Sequence, residues 1–334
     1  MRRDHAVRCQ DEYNCRNGEV AVIAGIVDAF TLPDVIAIAA LGVIALGAMG
    51  VGAIAAVTAW RIVRPDRDSR PKAWVPRLEP WDVEPVTFCA PDGPDLRGWL
   101  LPPSIEGAPI VVCLHGFGMN RHEFEDVVPW LRAAGYGCLL FDFRGHGESG
   151  GTFTTVAASG EIEDARAAVR LVRDRFGPDV PLATYGISMG GAIAILVAGT
   201  DPGIRAVVTD SAFATLGRVL DHAFSAWMHL PPWLFRGPVS QFARLYTGIR
   251  VADVRPVDMA HSIAPRPFLL IHGTDDRFVD PSDANLIAAG YGPGVITWRP
   301  PGDHVSARTA NPGEYRERVL GFLAGVFASE ERAA

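Results

Sequence analysis

The run Gly186-Ile187-Ser188-Met189-Gly190 sets a serine between two glycines in the pattern G-x-S-x-G. An apolar run of strand length, Leu182–Tyr185, precedes it, and a longer one of helical length, Met189–Ala198, follows. A sharp strand-to-helix turn has no room for side chains beside its apex, which is why glycine is needed on either side, and the turn lifts the hydroxyl clear of the sheet. The start of the following helix adds the positive end of a dipole, useful to an oxygen that gains negative charge. A serine hydroxyl is a poor nucleophile at its own pKa and needs a base that a third group orients.

In the chain order serine, acid, histidine, both partners follow Ser188. After the apolar run Phe268–Ile271 comes His272-Gly273-Thr274-Asp275-Asp276-Arg277-Phe278-Val279, which puts two acids at the C-terminal end of an expected strand. After Val295–Trp298 comes Pro300-Pro301-Gly302-Asp303-His304, which puts a histidine at the end of the last one. His304 is therefore the expected base, and Asp275 or Asp276 the acid that holds it. Such a trio performs acyl transfer and needs no metal and no organic cofactor.

The elements that must position these residues follow from hydrophobic pattern. Val86–Ala90 and Leu96–Leu101 read as two short strands around Pro91-Asp92-Gly93-Pro94. Further strand candidates are Ile110–Leu114, Gly137–Phe141, Leu182–Tyr185, Ala206–Thr209, Phe268–Ile271 and Val295–Trp298. Helix candidates are Glu123–Ala134, Glu161–Arg175, Met189–Ala198, Asp283–Ala289 and Glu314–Ala328. Strands alternating with helices predict an α/β fold: a mostly parallel, doubly wound sheet covered on both faces. Its ligand crevice lies at the C-terminal ends of the strands.

With these motifs in this order, residues 84–328 resemble the α/β-hydrolase superfamily. The HGxxDxxV element of that superfamily matches His272, Gly273, Asp276 and Val279, and the resemblance selects Asp276 as the acid, leaving Asp275 as a turn residue. Proline often follows that valine directly in the superfamily, whereas here Asp280 intervenes before Pro281. His115-Gly116-Phe117-Gly118 resembles the oxyanion loop, which implies that the backbone N–H groups of Phe117 and Met189 face the carbonyl oxygen. Asp142-Phe143-Arg144-Gly145-His146-Gly147-Glu148-Ser149 is similar to the D-x-R-G-x-G-x-S element, read here as structural. Within the superfamily the chain looks closest to prokaryotic esterase and serine-aminopeptidase-like members, partly through Asp210-Ser211-Ala212-Phe213. The resemblance implies hydrolysis of a small-molecule ester or other acyl substrate. Amide or peptide cleavage and acyl transfer to an alcohol use the same trio, and a non-catalytic membrane-tethered scaffold is the reading of a different class.

Between two core strands, residues 213–263 fall where the superfamily commonly inserts a helical cap. The segment carries Phe224, Trp227, Met228, Trp233, Leu234, Phe235, Phe242 and Tyr246. These can line an acyl pocket, rest on a bilayer or form the cap's own core.

No charged residue occurs from Val35 to Trp60, a run longer than the ~20 residues that cross a bilayer as a helix. One transmembrane helix over 35–60 is expected, preceded by an N-terminal segment 1–34 and followed by a proline-rich linker 61–83 and a hydrolase domain over 84–330. A signal-peptide core is shorter, about 7–15 residues, and starts nearer the N-terminus. Arg61, Arg64, Arg67, Arg70 and Lys72 follow the run while Asp28 and Asp34 precede it, which places the catalytic domain in the cytoplasm; Arg2, Arg3, Arg8 and Arg16 pull the other way. A net charge of −7 gives nucleic acid no electrostatic footing. Cys9, Cys15, Cys89, Cys113 and Cys138 form no CxxC pair, so neither zinc nor a disulfide framework is indicated; Cys113 and Cys138 sit in apolar runs and read as core.

Overall fold

The computed structural model describes residues 31–65, 67, 81–91 and 93–331. The N-terminal segment up to residue 30, with Cys9 and Cys15, and the linker residues 66 and 68–80 lie outside the described residues. The chain divides into two compact units, one ending at Ile54 and one running from Ala55 onward.

A continuous helix, α1 (Leu32–Val63), carries 32 residues and is about 48 Å long at 1.5 Å per residue. Up to Gly50 its Leu, Ile and Val side chains are exposed. By length and composition it can cross a membrane, and the expected span 35–60 lies inside it. From Ala55 onward the same helix belongs to the second unit, where Ala55, Ala59 and Val63, four residues apart, are buried.

In the second unit an eight-stranded sheet forms from β1 (Glu84–Cys89), β2 (Asp95–Leu101), β3 (Ile110–Leu114), β4 (Gly137–Phe141), β5 (Leu182–Ile187), β6 (Ile204–Asp210), β7 (Phe268–Ile271) and β8 (Ile296–Trp298). Their order is β1-β2-β4-β3-β5-β6-β7-β8. β1 and β2 pair antiparallel, β2 joins β4 antiparallel, and all remaining pairs are parallel. The expected strands recur, with β5 and β6 longer than their apolar runs suggested.

Between and after the strands lie α2 (Val128–Ala133), α3 (Ser159–Phe176), α4 (Met189–Thr200), α5 (Leu216–His222), α6 (Pro232–Thr247), α7 (Pro256–Met259), α8 (Ser282–Tyr291), α9 (Ala307–Ala310) and α10 (Pro312–Glu331). Because side chains alternate across a strand, Val111, Cys113, Cys138, Leu140, Tyr185 and Ile271 face one side. There they pack with Leu131 of α2 and Val319 and Leu323 of α10. Ile110, Val112, Leu139 and Val207 occupy the alternate positions and are equally buried, which explains the continuous Val, Ile and Leu of the inner strands. Burial pushes the Cys138 thiol up to about 12 and that of Cys113 well above its ordinary range, so both are inert core residues.

One helix departs from expectation. Glu123–Ala134 is a 3₁₀ turn (Arg121–Phe124) and then the shorter α2. Pro129, lacking an N–H, sits in the first turn of α2, where that donor would go unpaired anyway; deeper in a helix it would break a hydrogen bond.

Register decides where the chemistry converges. Leu114 pairs with Gly186, Ile187 with Asp210, Asp210 with Ile271 and Ile271 with Trp298. The C-terminal ends of β3, β5, β6, β7 and β8 therefore lie level along one rim. Between β6 and β7 the chain inserts α5, a π-helical turn (Ala223–Trp227), α6 and α7, which form the expected cap.

Candidate active site

Ser188 occupies the turn between β5 and α4 with φ 53° and ψ −114°, a left-handed backbone rare for a residue with a side chain. The flanking glycines are required by packing: a Cβ on Gly186 would come within 2.1 Å of the Gly190 carbonyl oxygen, and one on Gly190 within 1.9 Å of the Leu114 carbonyl oxygen. The Ser188 N–H donates to the Asp210 carbonyl at 2.8 Å, which ties the turn to the neighbouring strand.

His304, on the loop after β8, brings Nε2 to 3.0 Å from Ser188 Oγ. Its Nδ1 lies 2.8 Å from Asp276 Oδ2. Asp276 is held in turn: its Oδ1 accepts the Phe278 and Val279 N–H groups at 2.8 Å each, and its Oδ2 lies 3.2 Å from His272 Nε2. Burial alone would raise the Asp276 carboxyl, but hydrogen bonds from His272 and His304 outweigh it and hold the group well below the usual carboxylate range. The Phe278 ring stacks on the His304 imidazole with centroids 4.8 Å apart and a 24° tilt. Val305 N–H donates to Ser211 Oγ at 3.2 Å, so the histidine loop is also tied to the end of β6.

The structure thus brings Ser188, His304 and Asp276 together and sends Asp275 elsewhere. Asp275 Oδ2 accepts the Gly302 N–H at 3.1 Å, and its own N–H donates to the Gly302 carbonyl at 3.0 Å. It fastens the acid loop to the histidine loop. His272 was legible only as a motif letter; its role at Asp276 is visible only once the loop is folded.

The loop after β3 lies beside the serine: a Cβ on Gly116 would stand 3.5 Å from Ser188 Cβ. Among the described residues the N–H groups of Phe117 and Met189 donate to no protein acceptor. Glu123, which no motif singles out, reaches back so that its Oε2 accepts the Gly116 N–H at 2.6 Å. The Glu123 carboxyl is buried and pushed up by that burial, although Arg308 stands 3.8 Å from it. The D-x-R-G-x-G-x-S loop is a scaffold. Asp142 accepts the Arg121 and Glu148 N–H groups at 2.7 and 2.8 Å, and a Cβ on Gly147 would overlap its carboxylate. His146 is enclosed, its pKa driven down to about 3 by burial, and its Nδ1 faces the Arg144 carbonyl.

A cleft of about 590 Å³ opens beside His304 and Asp276, lined also by Ala226, Trp227, Arg277 and Phe278 among others. Trp227, from the cap, meets the Phe278 ring at 4.3 Å and donates its indole N–H to the Arg277 carbonyl at 2.7 Å. The cap aromatics divide among several roles. Phe224 and Phe235 stack at 5.7 Å as its small core, Trp227 lines the cleft, and Trp233 stands in the open.

The family model described as alpha/beta hydrolase fold matches residues 109–255, and a solved esterase of Pyrococcus furiosus superposes with a TM-score of 0.65 at 29% identity, covering 78% of this chain and 97% of that one. The chain has the α/β-hydrolase fold. Among curated relatives, the chain is 28% identical over 254 residues to the protein YfhR of Escherichia coli strain K12, covering 73% of this chain and 82% of that protein. It is 29% identical over 254 residues to YqkD of Bacillus subtilis, covering 75% and 82%. A polyketide transferase of Penicillium, GrgF, is 31% identical over 126 residues, which cover 37% of this chain and 42% of that relative.

Proposed function

We propose that this hydrolase cleaves carboxylic esters by a Ser188–His304–Asp276 triad through an acyl-enzyme. The observation that carries the reading is the unbroken hydrogen-bond line from Ser188 Oγ through both nitrogens of His304 to Asp276, at 3.0 and 2.8 Å. With Asp276 ionised, His304 carries its proton on Nδ1 and offers the Nε2 lone pair to the serine hydroxyl. Ser188 Oγ attacks the ester carbonyl as His304 takes its proton, and Asp276 stabilises the imidazolium that forms. The oxyanion is met by the Phe117 and Met189 N–H groups, which have no protein acceptor to give up. His304 then protonates the leaving alkoxide, and a water activated by the same histidine releases the acid.

Labelling of Ser188 by a fluorophosphonate, with loss of label and of aryl-ester hydrolysis in Ser188→Ala, is the expected result; full hydrolysis by Ser188→Ala overturns the reading. Acyl transfer to an alcohol is the second reading, favoured by the similarity to a polyketide transferase. Product partition between acid and new ester in the presence of added alcohols separates the two. We also read α1 as a single membrane span, with the catalytic domain on the cytoplasmic side because Arg61, Arg64 and Arg67 follow its apolar stretch. Digestion of that domain by protease added outside intact cells would overturn the orientation.

A further inference from the structure

A second depression, of about 440 Å³, lies on the outer side of the cap, away from the triad residues. Its floor includes Gly237 and Ser240 of α6, and its walls carry the guanidinium groups of Arg218, Arg236, Arg244 and Arg250. A Cβ on Gly237 would meet nothing within 4 Å, so the floor is open. Asp221 is the one acidic residue in the lining and pairs with Arg236 at 2.7 Å, while Arg218 is held from outside the lining by Asp283, Asp280 and Ser282, and Arg255 by Asp258, which leaves Arg244 and Arg250 as the least committed cations. Arg250 approaches Asp253 only to 3.8 Å, and among the described residues Arg244 has no ion pair. A guanidinium presents five N–H donors in a planar fork that matches phosphate oxygens, and a single carboxylate leaves several of them free.

The helix beneath is amphipathic. Phe235, Val239 and Ala243 turn inward and are buried. Trp233, Gly237, Ser240 and Arg244, at spacings of four, three and four, form the opposite stripe. Trp233 is 82% exposed and Leu245, on the flank of the helix beside Arg244, 69% exposed. A bare indole and a bare leucine among arginines serve no soluble anion, but they are the composition of a helix lying in a bilayer interface.

The far end of α6 gives the level. Trp60, in the last turn of α1, packs edge-on against Tyr246 of α6 with centroids 5.5 Å apart and against Phe153 at 5.7 Å, with the Arg64 guanidinium 5.1 Å from its ring. Tryptophan followed by arginines is the signature of the membrane–water interface. We propose that the outer face of α6 docks on an anionic bilayer, with a phospholipid headgroup phosphate seated over Gly237 and Ser240 among Arg236, Arg244 and Arg250. α5 supplies Arg218 to the wall of this depression and His222 to the cleft beside His304 and Asp276. The docked lipid therefore sits one helix away from the catalytic mouth.

This surface rests on reading α1 as a membrane span, and the test separates the two. The full chain is reconstituted into vesicles of phosphatidylcholine with or without phosphatidylglycerol, each with brominated acyl chains. The fluorescence quenched in the wild type but not in Trp233→Phe reports the position of Trp233. Quenching of Trp233 that needs phosphatidylglycerol and falls to the phosphatidylcholine level in Arg244→Glu/Arg250→Glu is the expected result. Gly237→Leu, which fills the floor without altering charge, gives the same loss, and thermal melts show that both variants are folded. Equal quenching in the two vesicle types, or quenching that survives charge reversal, overturns the proposal. So does a thermal shift with inorganic phosphate in detergent without lipid-dependent quenching, since that marks a soluble-anion site. Release of the chain by alkaline carbonate would instead sink the membrane-span reading, and Ser188→Ala, whose quenching is expected unchanged, keeps the outcome independent of the triad.

Discussion

Asp276→Asn replaces one carboxylate oxygen by an amide nitrogen, and the surroundings dictate which one. Oδ1 accepts two backbone N–H groups, from Phe278 and Val279 at 2.8 Å each, so an NH₂ group there would face two donors. The amide oxygen must keep that position, which points the NH₂ at His304 Nδ1 and His272 Nε2. His304 then presents a lone pair at Nδ1 and carries its proton on Nε2, aimed at Ser188 Oγ, where it cannot serve as a base. Loss of the charge-assisted bond alone is worth about 1.5–3 kcal/mol; adding the wrong tautomer brings the expected fall in kcat to about 10³–10⁴-fold. Asp276→Ala has the opposite profile. It leaves the His304 tautomer free, so activity falls less, by roughly 10²-fold on the lost hydrogen bond. It also strands the Phe278 and Val279 N–H groups at about 1–3 kcal/mol each, so the protein melts lower. Aryl-ester kinetics and thermal melts on the two variants should therefore rank them in opposite orders. An asparagine variant more active than the alanine variant, or one keeping a tenth of wild-type kcat, refutes the reasoning.

The same Asp276 predicts a pH dependence. Its folded-state pKa is depressed, so the stability it contributes is present above its unfolded value near 4 and is lost as pH falls toward the folded one. The stability difference between wild type and Asp276→Asn, followed by denaturant melts, should shrink as pH drops below about 4. Gly190→Ala drives a Cβ into the Leu114 carbonyl at 1.9 Å and should cost about 3 kcal/mol or more; an unchanged melting temperature would show that the turn can relax. Glu123→Ala removes the acceptor of the Gly116 N–H, and its kcat should fall about tenfold or more with KM nearly unchanged if one to three kcal/mol of loop positioning is lost, whereas Glu123→Gln, which keeps an acceptor oxygen, recovers most of it. Trp227→Ala opens one wall of the cleft and should lower kcat/KM for bulky acyl esters about tenfold relative to acetyl esters, the scale of a modest apolar contact.

Much of this site was written in local pattern. The overlap that imposes Gly186 falls on Gly190, four residues on, whereas the one at Gly190 falls on Leu114 of a neighbouring strand; Ser188, Asp276 and His304 each follow a strand, so the residues gathered at the rim were readable. The choice between Asp275 and Asp276 was not, because both lie at the end of β7 and only resemblance to a known motif divided them. In the fold they part by backbone direction, Asp275 turning to Gly302 and Asp276 to His304. Glu123 left no trace in the sequence, since its partner, Gly116, becomes a partner only when the 3₁₀ turn folds back over β3. The long helix expected over Glu123–Ala134 failed at Pro129, where apolar periodicity outweighed a missing N–H in the reading but not in the chain. The aromatic residues of the cap share one composition and three fates, and periodicity alone does not sort buried Phe235 from exposed Trp233 two residues away.

β6 and β7 are parallel neighbours, with Val207 opposite Phe268, and parallel neighbours require a crossover whatever its length. The cap is grafted onto that obligatory connection, and lengthening a connection costs only weakly, as the logarithm of its size. Exchanging Phe213–Ile263 for a foreign helical cassette would therefore leave the sheet register intact. Such a chimera would present the same hydroxyl, imidazole and carboxylate to a new clientele of small molecules, so diversification in this scaffold can proceed by replacing its roof while its foundations stay put.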